Sequence, residues 1–292
     1  MIDFKRDYNK YYEYFNAYLD DVLSNLDSSA PKSIKNAMTY AIKDGGKRVR
    51  PVLCFLTGEM LGVDKDKLKE FSLAIELIHS YSLVHDDLPA MDNDDYRRGK
   101  LSTHKKFGEA IGVLAGDALL NFAFEHILYK ENFSKGDLEG IKILSNFAGY
   151  SGMIGGQVID LQCEKDENPT SEKLYYIYLN KTAKLIIAPI IIASAIAGNA
   201  YYDSLYEYGY HLGVTFQIID DILDEEGDFN ELGKTLHKDK EAGKLTAVSV
   251  FGLERAKELA REHFNKCVSA IADIKGSEHL YALAKEMFER KK

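Results

Sequence analysis

Tryptophan is absent from the 292 residues, proline occurs five times and cysteine three times. So little proline, with no long Gly/Ser stretch and no repeat of fixed period, leaves no linker that would divide the chain. A single domain over residues 1–292 is expected. The cysteines, Cys54, Cys163 and Cys267, are odd in number and far apart, with no CxxC. That excludes a disulfide framework and a zinc cluster, and fits reduced thiols in a cytoplasmic protein. A basic excess is also missing. The net charge of −9 argues against a nucleic-acid partner. An acidic chain can still handle anionic substrates where metal ions reverse the local charge. Membrane-length apolar runs are missing too. "LIIAPIIIASAIA", Leu185–Ala197, is 13 residues long and contains Pro189, whereas a span needs roughly 20. It reads as a buried core helix, not as part of an integral membrane protein. The charged, aromatic start "MIDFKRDYNKYYEYF" does not read as a signal peptide.

What the chain does contain is helical periodicity. "SIKNAMTYAIKD" (33–44) puts Ile34, Ala37, Met38, Ala41 and Ile42 on one stripe, with Ser33 as cap and Gly45-Gly46 as stop. "PVLCFLTGEMLG" reads as a helix opening at Pro51. Residues 67–87 and 204–226 read as long, largely apolar helices. Strict alternation is rare, so the fold class is all-α.

Two of these helices end in aspartates. Five aspartates fall within residues 86–95, in "DDLPAMDNDD". Pro89 cannot continue a helix and biases Leu88 toward extended backbone. Asp86 and Asp87 therefore end the helix, and Asp92 can return from the loop to meet them. In "IIDDILDEE", Asp220 and Asp224 are four apart and share a face, with Gln217 and Asp221 near it. Like charges at that spacing repel, and helix C-termini favour cations. A hard divalent cation would reverse the sign of both arrangements. These oxygen-only sets suit Mg²⁺ better than zinc or copper.

Matching basic groups are present. "KDGGKRVRP" (43–51) combines glycines with Lys47, Arg48 and Arg50, a loop able to cradle a phosphate. His79 lies two turns before Asp86 on the same face. Arg97, Arg98, Lys181, Thr182, Lys234 and Lys244 are further candidates, each weak alone.

Together these residues resemble the trans-polyprenyl diphosphate synthases, prenyltransferases of isoprenoid biosynthesis. "DDLPAMD" followed by "RRGK", "DDILD", "GGKRVRP", "GMIGGQVIDL" (152–161), "NKTAKL" (180–185) and "GKTLHKDKEAGKLT" (233–246) match the family's motifs in order, over roughly residues 30 to 292. The resemblance implies an all-α, isoprenoid-synthase-type helical bundle around a deep central cavity, usually a homodimer. It implies Mg²⁺, two or three per site, held by Asp86, Asp87 and Asp92 on one wall and by Asp220 with Asp224 on the other. Arg97 would bind the allylic diphosphate, supported by Lys181, Lys234 and Lys244. Gly46, Lys47, Arg50, His79 and Arg98 would bind isopentenyl diphosphate. Lys181, Thr182 and Gln217 would stabilise the allylic cation, and Gly155, Gly156 and Gln157 would allow close helix packing beside the site.

The implied reaction is Mg²⁺-dependent head-to-tail condensation of isopentenyl diphosphate with dimethylallyl or geranyl diphosphate. Tyr81 lies five residues before Asp86, about 7.5 Å down a helix. With Ser82 it resembles the chain-length floor of bacterial farnesyl diphosphate synthases, so a C15 product is expected. A C20 or longer product is the alternative. Terpene cyclases usually keep one aspartate motif, and non-catalytic synthase subunits tend to lose one; this chain has both. It departs from many relatives at Ala247-Val248, where Tyr-Pro is common, and at Asn93, where aspartate is common.

Overall fold

The computed structural model describes residues 2–43, 46–164, 170–226 and 243–290. The chain divides into two compact units, Asp3–Lys135 and Gly136–Lys292. Both are helical, as the periodicity predicts.

In the first unit, α1 (Phe4–Ser24) buries Tyr11, Phe15 and Leu19, one stripe at four-residue spacing. Tyr11 stacks on Phe55 of α3 (Val49–Met60) at 5.4 Å. α2 runs Lys32–Lys43 and opens one residue ahead of the expected Ser33 cap. The Pro31 carbonyl accepts from the Lys35 amide, so the first turn forms on the proline. α3 likewise begins two residues before Pro51, whose missing N–H falls in the first turn, where no partner is needed. α4 (Lys69–Asp86) is buried on nearly every side, and α6 (Glu109–Leu128) packs along it. A Cβ on Gly116 of α6 would lie 2.0 Å from the His85 ring, so that glycine lets α6 close on the aspartate end of α4. His85 Nε2 also meets the Val113 carbonyl at 2.9 Å. Between α4 and α5 (Thr103–Phe107) lies a two-residue antiparallel ribbon, β1 (Tyr96–Arg97) and β2 (Lys100–Leu101). Its turn, Arg98-Gly99, has φ of 52° and 77°, the positive pair that a two-residue hairpin of matching twist requires.

The second unit comprises α7 (Lys135–Ala148), α8 (Met153–Cys163), α9 (Ser171–Ile177), a π-helical segment (Tyr178–Ala183), α10 (Lys184–Ile196), α11 (Tyr202–Glu226), α12 (Ala247–Phe251), α13 (Leu253–Ala270) and α14 (Glu278–Glu289). The apolar run is a core helix: residues 185–195 of α10 are all buried. Among the described residues, two helical stretches, Glu109–Leu128 and Ser171–Ile196, are long and apolar enough to cross a membrane by length and composition, and the second is mostly buried in the protein. The first was not marked by its sequence, because charged residues interrupt its apolar run.

α13 packs along α11, and their contact holds a pair of buried histidines. Nδ1 of His211 and Nδ1 of His263 are 2.9 Å apart, so one donates and the other accepts. Tyr175 stacks on His263, Tyr210 packs against both rings, and Glu207 lies 3.5 Å from His211 Nε2. Burial, then His211 and Lys266, lower His263 to about 4 against the pull of Glu262. Burial lowers His211 as well. A histidine depressed in the folded state stabilises above its ordinary value of about 6.5 and loses that contribution as pH falls. The melting temperature is therefore expected to fall between pH 6.5 and 4, with a shallower slope in His263→Gln, measured by calorimetry across that range.

Candidate active site

In the first unit the aspartate end of α4 is built by its turn. After Asp86 the chain reverses through Pro89-Ala90. The Asp92 amide donates to the Asp86 carbonyl at 2.8 Å, and the Asp94 amide to the Asp87 carbonyl at 3.1 Å. Asn93 adopts the left-handed conformation that closes this turn, φ 51°, one that asparagine tolerates well. Asp86 and Asp92 are thereby brought together, both half-buried. Asp87 has a different surrounding. It is 2% exposed and accepts from both Nε and Nη2 of Arg97 on β1. Burial raises its pKa and Arg97 opposes that. One turn and a half below, Tyr81 is buried, and its hydroxyl has no hydrogen-bond partner. Burial, then Asp86, push its pKa up to about 12. Ser82 bonds the His79 carbonyl at 2.9 Å.

The cationic loop follows α2. Gly46 has φ 108°, and a Cβ there would stand 3.0 Å from the Arg98 guanidinium, so glycine lets the arginine lie on the backbone. Arg50 is half-buried, its buried Nε lacks a partner, and burial lowers its pKa to about 10. His79 is held well below its ordinary value, first by burial and then by Arg50, Arg98, Arg97 and Arg48. Gly46, Arg50, His79 and Arg98 thus form one cationic cluster, with Lys47 exposed at its edge. Arg48 does not join its outer face. It is 4% exposed and turned inward, bonded to Glu76 at 2.8 Å, the Ile42 carbonyl at 2.7 Å and Asn16 at 3.3 Å. The three-cation cradle becomes a two-cation edge on a buried anchor.

In the second unit the π-helical segment carries Lys181 and Thr182. Such widened turns change which side chains face outward and occur often at functional sites. Glycines fit the segment's neighbours to it: a Cβ on Gly156 would be 2.2 Å from the Lys181 nitrogen, and one on Gly213 would be 2.4 Å from Ala183. Gly155 lies against the Tyr150 carbonyl, and the Gln157 amide is buried with neither atom hydrogen-bonded. Lys181 pairs with Asp160 of α8 at 2.5 Å. Thr182 donates to Gln217 Oε1 at 2.9 Å, and Gln217 Nε2 donates to Asp221 Oδ1 at 3.2 Å. Asp221 is buried and also accepts from the Tyr178 hydroxyl and the Ala247 amide. Its charge and burial raise Tyr178 well above the usual tyrosine range, burial being the larger cause. Asp220 faces the other way and accepts from Arg290 at 2.6 Å. Arg290 also bonds the Phe216 carbonyl and lies over the Phe216 ring. Asp224, one turn on, is half-buried, as is Lys244 before α12. Lys234 lies outside the described residues.

Among the described residues no three His, Cys, Asp or Glu side chains group as a metal cage. Mg²⁺ does not require such a cage, since it takes one or two carboxylates and completes its octahedron with water and substrate phosphates. Asp86 and Asp92 meet at the end of α4, and Asp220, bonded to Arg290, stands one turn from Asp224 on α11. Sequence reading did not find Asp160, Glu76 or Tyr178, and it marked Arg290 only as part of the basic C-terminal stretch "ERKK". Their partners lie far along the chain, 21 residues away for Asp160, 28 for Glu76 and 43 for Tyr178.

Comparison with known proteins gives a consistent picture. Residues 31–285 match the Polyprenyl synthetase family model, across both units. The chain is 41% identical over 277 residues to a farnesyl diphosphate synthase of Micrococcus luteus, covering 94% of this chain and 95% of that one. It is 42% identical over 262 residues to geranylgeranyl pyrophosphate synthase 4 of Arabidopsis thaliana, covering 86% and 70% respectively. A geranyltransferase from Helicobacter pylori, solved with magnesium and isoprenyl diphosphate, superposes with a TM-score of 0.85 at 33% identity over 99% of each chain.

Proposed function

The chain belongs to the polyprenyl synthetase family, and we propose that it condenses isopentenyl diphosphate with dimethylallyl and then geranyl diphosphate, releasing farnesyl diphosphate. One observation carries this reading. Within a single unit, a carboxylate pair caps an apolar core helix beside a partly buried cationic cluster, the two charge types that a metal-bridged diphosphate and a second diphosphate need.

Asp86, Asp92, Asp220 and Asp224 would hold Mg²⁺, which neutralises the departing diphosphate when bound. Arg97, with Lys181, Lys234 and Lys244, binds that allylic diphosphate. Asp87, the third aspartate expected at the metal, is buried against Arg97 and aims it. Gly46, Lys47, Arg50, His79 and Arg98 take the diphosphate of isopentenyl diphosphate. The allylic carbon–oxygen bond breaks, and its electron pair leaves with the diphosphate. The isopentenyl double bond supplies the pair for the new carbon–carbon bond, and a proton passes to the released diphosphate. Oxygen dipoles of Thr182 and Gln217 face the positive charge as it forms. The apolar walls of α4 exclude water that would quench it.

The residues are read as one synthase domain over 1–292, cytoplasmic, not embedded in a membrane, and active as a homodimer. Three buried thiols support the first location. An exposed apolar face on α6, with Val113, Leu114 and Leu128, supports the dimer.

Product analysis tests the reading. With Mg²⁺, isopentenyl diphosphate and either allylic starter, the purified protein is expected to yield mainly C15. Tyr81→Ala is expected to shift the main product to C20 or longer, because the ring of Tyr81 closes the way below Asp86. Wild-type C20 would keep the chemistry and remove Tyr81 as the floor. No condensation by folded protein would overturn the reading.

A further inference from the structure

We propose that Asp221 is a positioning residue rather than a metal ligand: it fixes which end of the Gln217 side-chain amide faces Thr182. This rests on the prenyltransferase reading above. Neighbours on a helix point about 100° apart. Asp220 therefore faces the half-exposed side while Asp221 turns into the core, where it is 4% exposed. There Oδ2 accepts from the Tyr178 hydroxyl and from the Ala247 amide at 2.6 Å, and Oδ1 accepts from Gln217 at 3.2 Å. Tyr178 belongs to the π-helical segment and Ala247 opens α12, so two elements hold the carboxylate in one rotamer.

An ionised carboxylate only accepts hydrogen bonds. The amide of Gln217, one turn earlier, must present its NH₂ to Asp221. Its oxygen is then left for Thr182, whose hydroxyl donates to it at 2.9 Å. The polarity of the whole row is set from its buried end. With the amide reversed, an N–H dipole would replace the oxygen where positive charge develops, and that electrostatic term would change sign.

Asp221→Asn tests this. The asparagine oxygen can still accept from Tyr178 and Ala247, but its NH₂ opposes that of Gln217 and forces the amide to turn. We expect kcat to fall roughly 100-fold, the loss typical of one misdirected electrostatic group. KM for both diphosphates and the Mg²⁺ concentration for half-activity should stay within about threefold, since no ligand is touched. The exchange Gln217→Glu with Asp221→Asn restores an acceptor at 217 and a donor at 221. It should recover at least about tenfold in kcat over Asp221→Asn.

A tenfold rise in Mg²⁺ requirement for Asp221→Asn would make Asp221 a ligand and overturn the proposal. So would unchanged kcat, or a folded exchange enzyme no better than the single variant. Should Asp221→Asn fail to fold, the exchange enzyme carries the test alone and must be folded and within about tenfold of wild type. A readout independent of turnover is the Gln217 side-chain NH₂ resonance in metal-free protein, assigned by its loss in Gln217→Glu. It is expected to move on Asp221→Asn, and an unmoved signal overturns the proposal. Absence of condensation by wild type, with that signal moving, would sink the prenyltransferase reading and leave the orientation standing.

Discussion

Asp86→Ala is expected to lower kcat/KM by roughly 10³-fold, about 4 kcal/mol of transition-state stabilisation, while leaving the metal-free protein as stable as before or slightly more so. Both halves follow from where the carboxylate sits. Asp86 is the last residue of α4, half-buried, with Asp92 folded back onto its own carbonyl. Two carboxylates at a helix C-terminus oppose the helix dipole and each other, which offsets the attraction between Asp86 and Arg97. The 2.8 Å bond that shapes the turn uses backbone atoms, which alanine retains. Asp87→Ala should show the opposite balance. That carboxylate is buried and ion-paired with Arg97, so its loss costs about 2 kcal/mol of stability and misplaces the arginine. Melting curves without Mg²⁺, set beside turnover with it, separate the two. An Asp86→Ala protein that is both inactive and strongly destabilised would show that Asp86 serves the fold and not a metal.

The contrast between these neighbours shows what a sequence can reveal. The helices were legible because their apolar periodicity is strong, and the acidic ends stood out because the charges contradict the dipole. Which aspartate of each pair turns outward was not legible. It depends on a rotation of about 100° per residue about α4 and α11 and on partners ten or more residues away in the chain: Arg97 for Asp87, Tyr178 and Ala247 for Asp221. Helix starts missed by one or two residues: α2 opens after Pro31 ahead of the Ser33 cap, Pro51 falls inside the first turn of α3 instead of opening it, and α4 and α11 begin at Lys69 and Tyr202. The β1–β2 ribbon escaped notice because two residues a side leave no alternation to read, although Arg98-Gly99 carries its turn. Arg48 read as one of three phosphate-binding cations, and nothing local distinguishes it. Glu76, 28 residues on, draws it inward together with Asn16 and the Ile42 carbonyl.

That buried pair carries the largest stability effect. Glu76→Ala is expected to destabilise the protein by about 3–5 kcal/mol, a fall in melting temperature of roughly 10 °C at the few degrees per kcal/mol usual for chains of this size. The side chains of Arg48 and Glu76 are 2% and 4% exposed and meet at 2.8 Å. Without Glu76 the guanidinium keeps its bonds to Ile42 and Asn16 but stays in a low-dielectric interior with its charge unmatched. Arg48→Met with Glu76→Met should cost far less than either change alone, because no charge is left to solvate. The double variant should nevertheless bind isopentenyl diphosphate more weakly. Arg48 stands in the left-handed conformation between Lys47 and Arg50 and ties their loop to α1, α2 and α4. Without that tie, the geometry that sets Gly46 against Arg98 loses its support. A double variant near wild-type stability with a raised KM for isopentenyl diphosphate would place Arg48 as the anchor of the cationic cluster. An unchanged KM would show that the loop holds its shape through Gly46 and the Tyr8–Lys47 hydrogen bond alone.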